Sequence, residues 1–174
     1  MATNGAKQPL FWGILGGVVV ADVVTKLLAV SHLGRAPLYL VGQWLSLRLV
    51  YNQGAAFGIH VGSYSRIVFT FLALVALIVL GAMVRETRSR QLPRLIALAL
   101  VCGGAVGNLV DRVRSGRGVV DFIDVWIGSF HWPTFNVADM AVSCGAIALA
   151  LVLWFEGKHG QPAASRADAT ELSS

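Results

Sequence analysis

The segment IVFTFLALVALIVLGAMV, residues 67–84, contains no charged side chain. A helix that crosses a bilayer needs about 20 mostly apolar residues, with a range of roughly 17–25. Three further stretches meet or approach this requirement, at residues 10–30, 95–112 and 137–155. The sequence therefore predicts four transmembrane helices.

The composition agrees with a membrane protein. Of the 174 residues, 56% are hydrophobic and 13% are charged, whereas soluble domains carry about 25% charge. This argues against a water-soluble enzyme and against a disordered chain, whose composition is polar. The net charge of +5 suits anionic headgroups better than nucleic acid. We therefore expect membrane lipids, and no nucleic acid, among the partners.

The four spans divide the chain into a membrane domain with two short ends. We expect a cytoplasmic leader at residues 1–9, the membrane domain at 10–155 and a polar, disordered cytoplasmic tail at 156–174. The two longer loops are residues 31–66 and 113–136. Within the first, the apolar residues of Leu45–Tyr51 alternate with others, which is typical of a half-buried strand. The second loop is mixed, with several glycines.

The basic residues predict the orientation. Four spans place both termini and the loop RETRSRQLPR, residues 85–94, on the same side. Over the whole chain, the numbers of Lys and Arg residues on the two sides are nearly equal, but this short loop is densely basic. The positive-inside rule assigns it to the cytoplasm. The two longer loops are then extracytoplasmic.

Alternating the direction of the spans brings the embedded polar residues to the extracytoplasmic face. These residues are Asp22, Lys26, Asn52, Asn108, Asp111, Arg112, Asp121, Asp124, Asn136 and Asp139. A charged residue at the centre of a span costs about 2.5–3.5 kcal/mol on insertion scales, so such groups usually pair or line a watery cavity. The sequence therefore predicts a site at this face.

Two carboxylates are the candidate catalytic groups of this site, Asp121 and Asp139. Acids within a few ångströms of each other share a proton, so one can accept a proton from water while the other assists the scissile carbonyl. A helix cap is the structural alternative for Asp139, which begins a span. The scattered histidines and the apolar-flanked Cys102 and Cys144 disfavour metal or thiol chemistry.

The remaining acids and the lysine of the first span also have structural interpretations. Asp22 and Lys26, four residues apart on one helix face, either neutralise each other or contact substrate. Asp111, beside Arg112, is expected in an ion pair, and Asp124 as a solvated neighbour of the site.

The amides and glycines also remain open to two interpretations. Asn52, Asn108 and Asn136 carry both a donor and an acceptor, which suits a grip on an extended peptide, but each also fits a turn or packing position. The small-residue pattern between Gly103 and Gly107 favours close helix packing.

Five motifs occur in order along residues 10–155. They are DVVTK at 22–26, NQGAAFG at 52–58, GGAVGNLVDR at 103–112, VVDFI at 119–123 and FNVAD at 135–139. In this order and spacing they resemble the motifs of the bacterial lipoprotein signal peptidases, the signal peptidase II family.

The resemblance implies a fold and an activity. The fold is mainly α, a polytopic inner-membrane protein with four transmembrane helices and a small extracytoplasmic β-sheet after the first helix. The activity is that of an aspartic endopeptidase. It removes the signal peptide from diacylglyceryl-modified prolipoproteins at the lipobox cysteine and needs no metal or organic cofactor. We expect a monomer.

The motifs also imply the site residues. The catalytic pair falls on Asp121 and Asp139. Substrate contacts and support of the active site fall on Asp22, Lys26, Asn52, Gly54, Asn108, Arg112 and Asn136.

Two other functions fit a small polytopic protein with embedded charges, a transporter or channel and a membrane scaffold. The polar residues gather at one face instead of continuing through the membrane, and residues 67–84 are apolar throughout. Both features disfavour an ion path.

Overall fold

Four long helices form the body of the molecule. The computed structural model describes residues 7–54 and 62–159. In it α1 spans Lys7–His32, α2 Ser65–Glu86, α3 Leu92–Arg114 and α4 Val137–His159. All four are long and apolar enough to cross a membrane, which confirms the predicted helical architecture.

The helices extend beyond the predicted spans. α1 includes residues 7–9 of the predicted leader, and α4 continues through residues 156–159 of the predicted tail. Glu156 explains the second extension, because its carboxylate accepts hydrogen bonds from Gln91 and Arg94 at the start of α3. The remaining residues of the leader and tail lie outside the described ranges.

A four-stranded antiparallel sheet lies at one end of the helices. Its strands are β1 (Leu38–Val41), β2 (Leu45–Asn52), β3 (Val119–Ile127) and β4 (Phe130–Phe135), paired in that order. The strand predicted at 45–51 is β2, so the predicted sheet is confirmed. It is larger than predicted, because the second long loop supplies half of it.

The sheet packs on the end of α1 through a small apolar core. Ala29 of α1 and Val120 and Phe122 of β3 are buried in it, and Leu47 and Leu49 of β2 pack against them. This contact places the beginning of β3 beside the ends of the helices.

Helix α3 lies at the centre of the bundle and packs closely against its neighbours. A Cβ on Gly103 would lie 2.9 Å from Val18 Cβ of α1, and one on Gly104 would collide with the carbonyl oxygen of Ala138 in α4. Between helices in lipid, van der Waals contact across small residues provides much of the attraction. The predicted packing role of the Gly103–Gly107 pattern is therefore confirmed, and it brings the polar end of α3 against α1 and α4.

Candidate active site

The buried amine of Lys26 ties α1 to α3. Its Nζ lies 2.8 Å from Asp22 Oδ2, 2.9 Å from Asp111 Oδ2 and 3.0 Å from Asn108 Oδ1. An ammonium group has three donors, and each has an acceptor here. Lys26 is only 3% exposed, so its charge is balanced by protein groups instead of water. The predicted ion pair of Asp111 is confirmed, with Lys26 as its partner.

The first turn of α4 is held by reciprocal hydrogen bonds. The backbone N–H of Asp139 donates to Asn136 Oδ1 (2.9 Å), and the N–H of Asn136 donates to Asp139 Oδ2 (3.2 Å). This is the geometry of a capping box. Asp22 Oδ1 accepts the neighbouring N–H of Ala138 at 2.9 Å. The cap expected as an alternative for Asp139 is therefore present, and it fixes the orientation of that carboxylate.

Asp139 has a second partner in α3. The Nδ2 group of Asn108 donates to Asp139 Oδ1 at 2.8 Å, while Asn108 Oδ1 accepts the bond from Lys26. Asn108 thus connects the buried ion pair to the carboxylate of Asp139 and helps to orient it. One amide links α1, α3 and α4.

Asp121 approaches the same place from the sheet. It lies near the beginning of β3, opposite Val50 of β2, and is 2% exposed. Asn136 Nδ2 donates to its Oδ1 at 2.7 Å, and Asn52 Nδ2 donates to its Oδ2 at 3.0 Å. Because Asn136 contacts both Asp121 and Asp139, the structure brings the two predicted acids to one site.

The surroundings of Asp121 favour its protonated form. Burial, followed by the negative charge of Asp139, raises the pKa of Asp121 to about 7, against the lowering effects of Asn52, Asn136 and Lys26. This carboxyl group therefore keeps its proton to a much higher pH than an exposed aspartate does.

Arg112 connects the end of α3 to the turn after β2. Its Nη2 donates to the carbonyl of Gly54 and its Nη1 to the carbonyl of Asn108, both at 3.3 Å. The N–H of Gly54 donates to Asn52 Oδ1 at 2.9 Å, which leaves the amide of Asn52 directed at Asp121. Gly54 and Arg112 therefore hold Asn52 in place. Residues 55–58 of the same motif lie outside the described ranges.

Two cavities open onto the acids. One of about 410 Å³ is lined by Asn52, Gly54, Asp121 and Thr134. The other, about 390 Å³, runs along α4 past Asp139 and is mostly apolar. A chain bound across both would pass over the two carboxylates.

Asp124 corrects one sequence prediction. The sequence predicts a solvated carboxylate, whereas Asp124 is 3% exposed and accepts hydrogen bonds from four side chains. These donors are Ser46, Trp126, His131 and Thr134, at 3.2, 3.0, 2.7 and 3.0 Å. Burial alone raises the pKa of Asp124, yet the four hydrogen bonds together hold it below its usual value. Asp124 therefore fastens β2, β3 and β4 together beside the site.

The charges at the site do not cancel. The carboxylates are Asp22, Asp111, Asp121 and Asp139, and the cations facing them are Lys26 and Arg112. Burial and the charge of Asp139, which raise the pKa of Asp121, favour a proton on Asp121, and that proton reduces the excess of negative charge. Within residues 7–54 and 62–159, no group of three or more His, Cys, Asp or Glu side chains is arranged to hold a metal ion.

Comparison with known proteins identifies the family. Residues 14–155 match the family described as signal peptidase (SPase) II. A lipoprotein signal peptidase of Hydrogenovibrio crunogenus is 41% identical over 151 residues, which cover 85% of this chain and 87% of that protein. One of Francisella tularensis subsp. novicida is 38% identical over 144 residues, covering 81% of this chain and 89% of the relative.

The fold agrees with solved structures as well. A bacterial membrane enzyme superimposes with a TM-score of 0.80 at 28% identity, over 88% of this chain and 93% of the other. A second one gives a TM-score of 0.74 at 30% identity, over 84% and 93%. The family match favours a protease over the transporter and scaffold alternatives. The chain belongs to the signal peptidase II family of lipoprotein signal peptidases, and it is a multi-pass bacterial membrane protease.

Proposed function

We propose that this protease is an aspartic endopeptidase that cleaves diacylglyceryl-modified prolipoproteins before the lipobox cysteine. The observation that carries the proposal is the position of Asn136, whose side chain bonds Asp121 and whose backbone and side chain bond Asp139. Two acids held by one residue at the end of four apolar helices suit hydrolysis of a peptide bond that lies at the membrane surface.

The two acids have different surroundings, and this suggests different roles. Asp121 is buried and holds a proton readily, whereas Asp139 is half-buried and lines the apolar cavity along α4. Asp139 accepts a proton from water as the water oxygen attacks the scissile carbonyl carbon, and Asp121 donates its proton to the carbonyl oxygen. When the tetrahedral intermediate collapses, Asp139 gives its proton to the departing nitrogen and Asp121 regains its own.

The other site residues position this pair. Lys26 orients Asn108, and Asn108 orients Asp139. Asn52 and Asn136 hold Asp121 from two sides. Arg112, with its guanidinium on the carbonyl of Gly54, fixes the turn at the rim and offers a cation near the developing oxyanion.

The proposal includes an orientation and a set of partners. Both termini are cytoplasmic, the acid pair faces the extracytoplasmic side, and the protein works as a monomer among membrane lipids. The basic loop at residues 85–94, at the opposite end of the helices from the sheet, supports this orientation. The mostly apolar cavity beside Asp139 supports a substrate that carries acyl chains.

Incubation of the purified full-length protein with a diacylglyceryl-modified prolipoprotein tests the proposed activity. We expect release of the intact signal peptide and a mature chain that begins with the modified cysteine, as read by mass spectrometry. The matched substrate is the same precursor without the diacylglyceryl group, which should be cleaved much more slowly. Equal cleavage of both precursors would contradict the assigned substrate class.

The rate of cleavage should depend on pH through the shared proton. The proposed mechanism needs a proton on Asp121, so the rate should fall in alkali, where Asp121 loses that proton. Because the pKa of Asp121 is about 7, we expect the alkaline limb of kcat/KM to bend near pH 7. Samples returned from each pH to pH 6 before assay control for unfolding. A rate that is constant from pH 6 to 9 would argue against a proton held by Asp121.

A further inference from the structure

Three arginines lie around Ser115, at the end of the bundle that carries the site. Arg66 lies in the first turn of α2, Arg114 in the last turn of α3, and Arg117 in the loop before β3. Ser115 connects them: its carbonyl accepts Arg66 Nη1 at 3.4 Å, its hydroxyl accepts the N–H of Arg117 at 3.1 Å, and Arg114 precedes it. We call Arg66, Arg114 and Arg117 the arginine cluster.

The arginine cluster has no acidic partner in the part of the chain that the structure describes. All three side chains are exposed, and the salt bridges there involve other cations. Between Asp22 and Asp111 the sequence contains one acid, Glu86, and it lies at the opposite end of α2 from Arg66. The undescribed residues 55–61 therefore supply no acid either.

One member of the cluster is held in a fixed direction. The guanidinium carbon of Arg117 lies 4.3 Å from the centre of the Tyr51 ring, a cation–π contact. The next residue, Gly118, has φ +106° and lies so close to the carbonyl of Asn52 that a Cβ would collide with it. Arg117 is thus attached to the turn that orients Asn52.

We infer that the arginine cluster binds the phosphodiester headgroup of an anionic phospholipid in the leaflet that faces the site. The guanidinium fork matches phosphate oxygens in pairs. The uncharged stretch 67–84 follows Arg66 directly, so the cluster lies where an apolar span meets the headgroups.

Binding of the headgroup does not depend on the proposed protease activity. Only the assignment of the bound lipid to the extracytoplasmic leaflet rests on the proposed function, through its orientation. With the proposed orientation, the cluster lies on the side where the positive-inside rule disfavours arginine, and a bound headgroup accounts for that exception. Through Arg117 and Gly118, the headgroup also steadies Asn52 and hence Asp121.

Lipid binding to the full-length protein in an uncharged detergent tests the inference. The probes are phosphatidylglycerol and phosphatidylcholine with identical acyl chains, titrated by native mass spectrometry, with inorganic phosphate as a separate competitor. The variants are Arg117→Gln and the double variant Arg66→Gln/Arg114→Gln, which leaves the contact with Tyr51 intact. Arg35→Gln, which replaces an exposed arginine in the connection between α1 and β1, is the matched control. Thermal unfolding checks the fold of each.

We expect the unaltered protein to prefer phosphatidylglycerol. Arg117→Gln should raise the Kd for phosphatidylglycerol about fivefold, and the double variant should raise it about thirtyfold. Each basic residue near a charged lipid surface contributes about 1 kcal/mol to the binding free energy. The Kd for phosphatidylcholine should not change in any variant, and Arg35→Gln should not change the Kd for phosphatidylglycerol. The inference is overturned by an unchanged Kd in folded cluster variants, by an equal loss in Arg35→Gln, or by displacement of the lipid by millimolar inorganic phosphate. The last result would assign the cluster to a free anion.

Discussion

Replacement of Asp121 or Asp139 by Asn should reduce signal-peptide release at least about 10³-fold, while the protein remains folded. Each substitution keeps the size of the side chain but removes a proton acceptor or donor from the proposed pair, and a positioned acid or base contributes about 10²–10⁴ to the rate. The double variant should be little worse than either single one, because the two groups act as a unit. The measurement is kcat/KM on a diacylglyceryl-modified precursor.

Glu156→Gln is the matched control for this loss. Its carboxylate also bonds neighbouring side chains, Gln91 and Arg94, but in the contact between α3 and α4 away from the site. It should leave the cleavage rate unchanged. Substantial activity in either Asp variant would contradict the proposed pair.

Thermal stability separates a catalytic role of Asp121 from a structural one. Its folded-state pKa of about 7 lies above the usual value of 3.8, so the folded protein binds more protons than the unfolded chain between these pH values. Stability therefore falls as pH rises through this window, and at pH 8 the folded protein bears the full cost of a buried charge. Asp121→Asn removes that cost and should stabilise the protein at pH 8 by on the order of 4 kcal/mol, with no gain at pH 4. A loss of stability at both pH values would mark Asp121 as a structural residue.

Lys26→Met should be the most destabilising single substitution at the site. The apolar side chain fits a membrane helix, but it leaves the buried Asp22 and the half-buried Asp111 without their cation. It also removes one of the two donors to Asn108 Oδ1. Breaking a buried ion pair from one side costs about 3–5 kcal/mol. Because Asn108 also holds Asp139, cleavage should fall together with the melting temperature in detergent.

A compensating variant shows that charge, and not packing, explains this loss. Lys26→Met combined with Asp22→Asn and Asp111→Asn removes the cation and both anions together and should recover much of the stability. Lys158→Met is the matched control, since Lys158 lies 4.9 Å from the centre of the Trp154 ring at the exposed end of α4. If Lys26→Met were no more destabilising than Lys158→Met, the ion pair would not hold α1 to α3.

The helices and the depth of the site could be predicted because the bilayer imposes simple rules on sequence. Apolar runs of sufficient length mark the spans, and polar residues within them or at their ends, such as Asp22 and Asp139, are costly unless they pair or line a common site. Alternating span direction then places them at one face. No knowledge of tertiary contacts was needed for this step.

β3 and β4 could not be predicted in the same way. The first four residues of β3, from Val119 to Phe122, are all buried, so the strand lacks the alternation that identified β2. The error over Asp124 follows from this, because its partners His131 and Thr134 approach only when β4 pairs with β3.

The roles of the residues within the site could be assigned only from the three-dimensional structure. Asp139 had two competing interpretations, an acid and a helix cap, and the capping box shows that the second does not exclude the first. The link from Lys26 through Asn108 to Asp139 joins three helices that are distant in sequence. The spacing of residues in the sequence does not predict such a link.

The capping box has a consequence for inhibition. With one oxygen on the backbone of Asn136 and the other on Asn108, the Asp139 carboxylate is already oriented before any ligand arrives. A compound that presents a hydroxyl group in place of the proposed attacking water would meet an acceptor that is already fixed. Most of the conformational entropy lost on binding would then be lost by the compound. Conformationally locked, lipophilic alcohols should therefore gain far more affinity than flexible ones of the same composition.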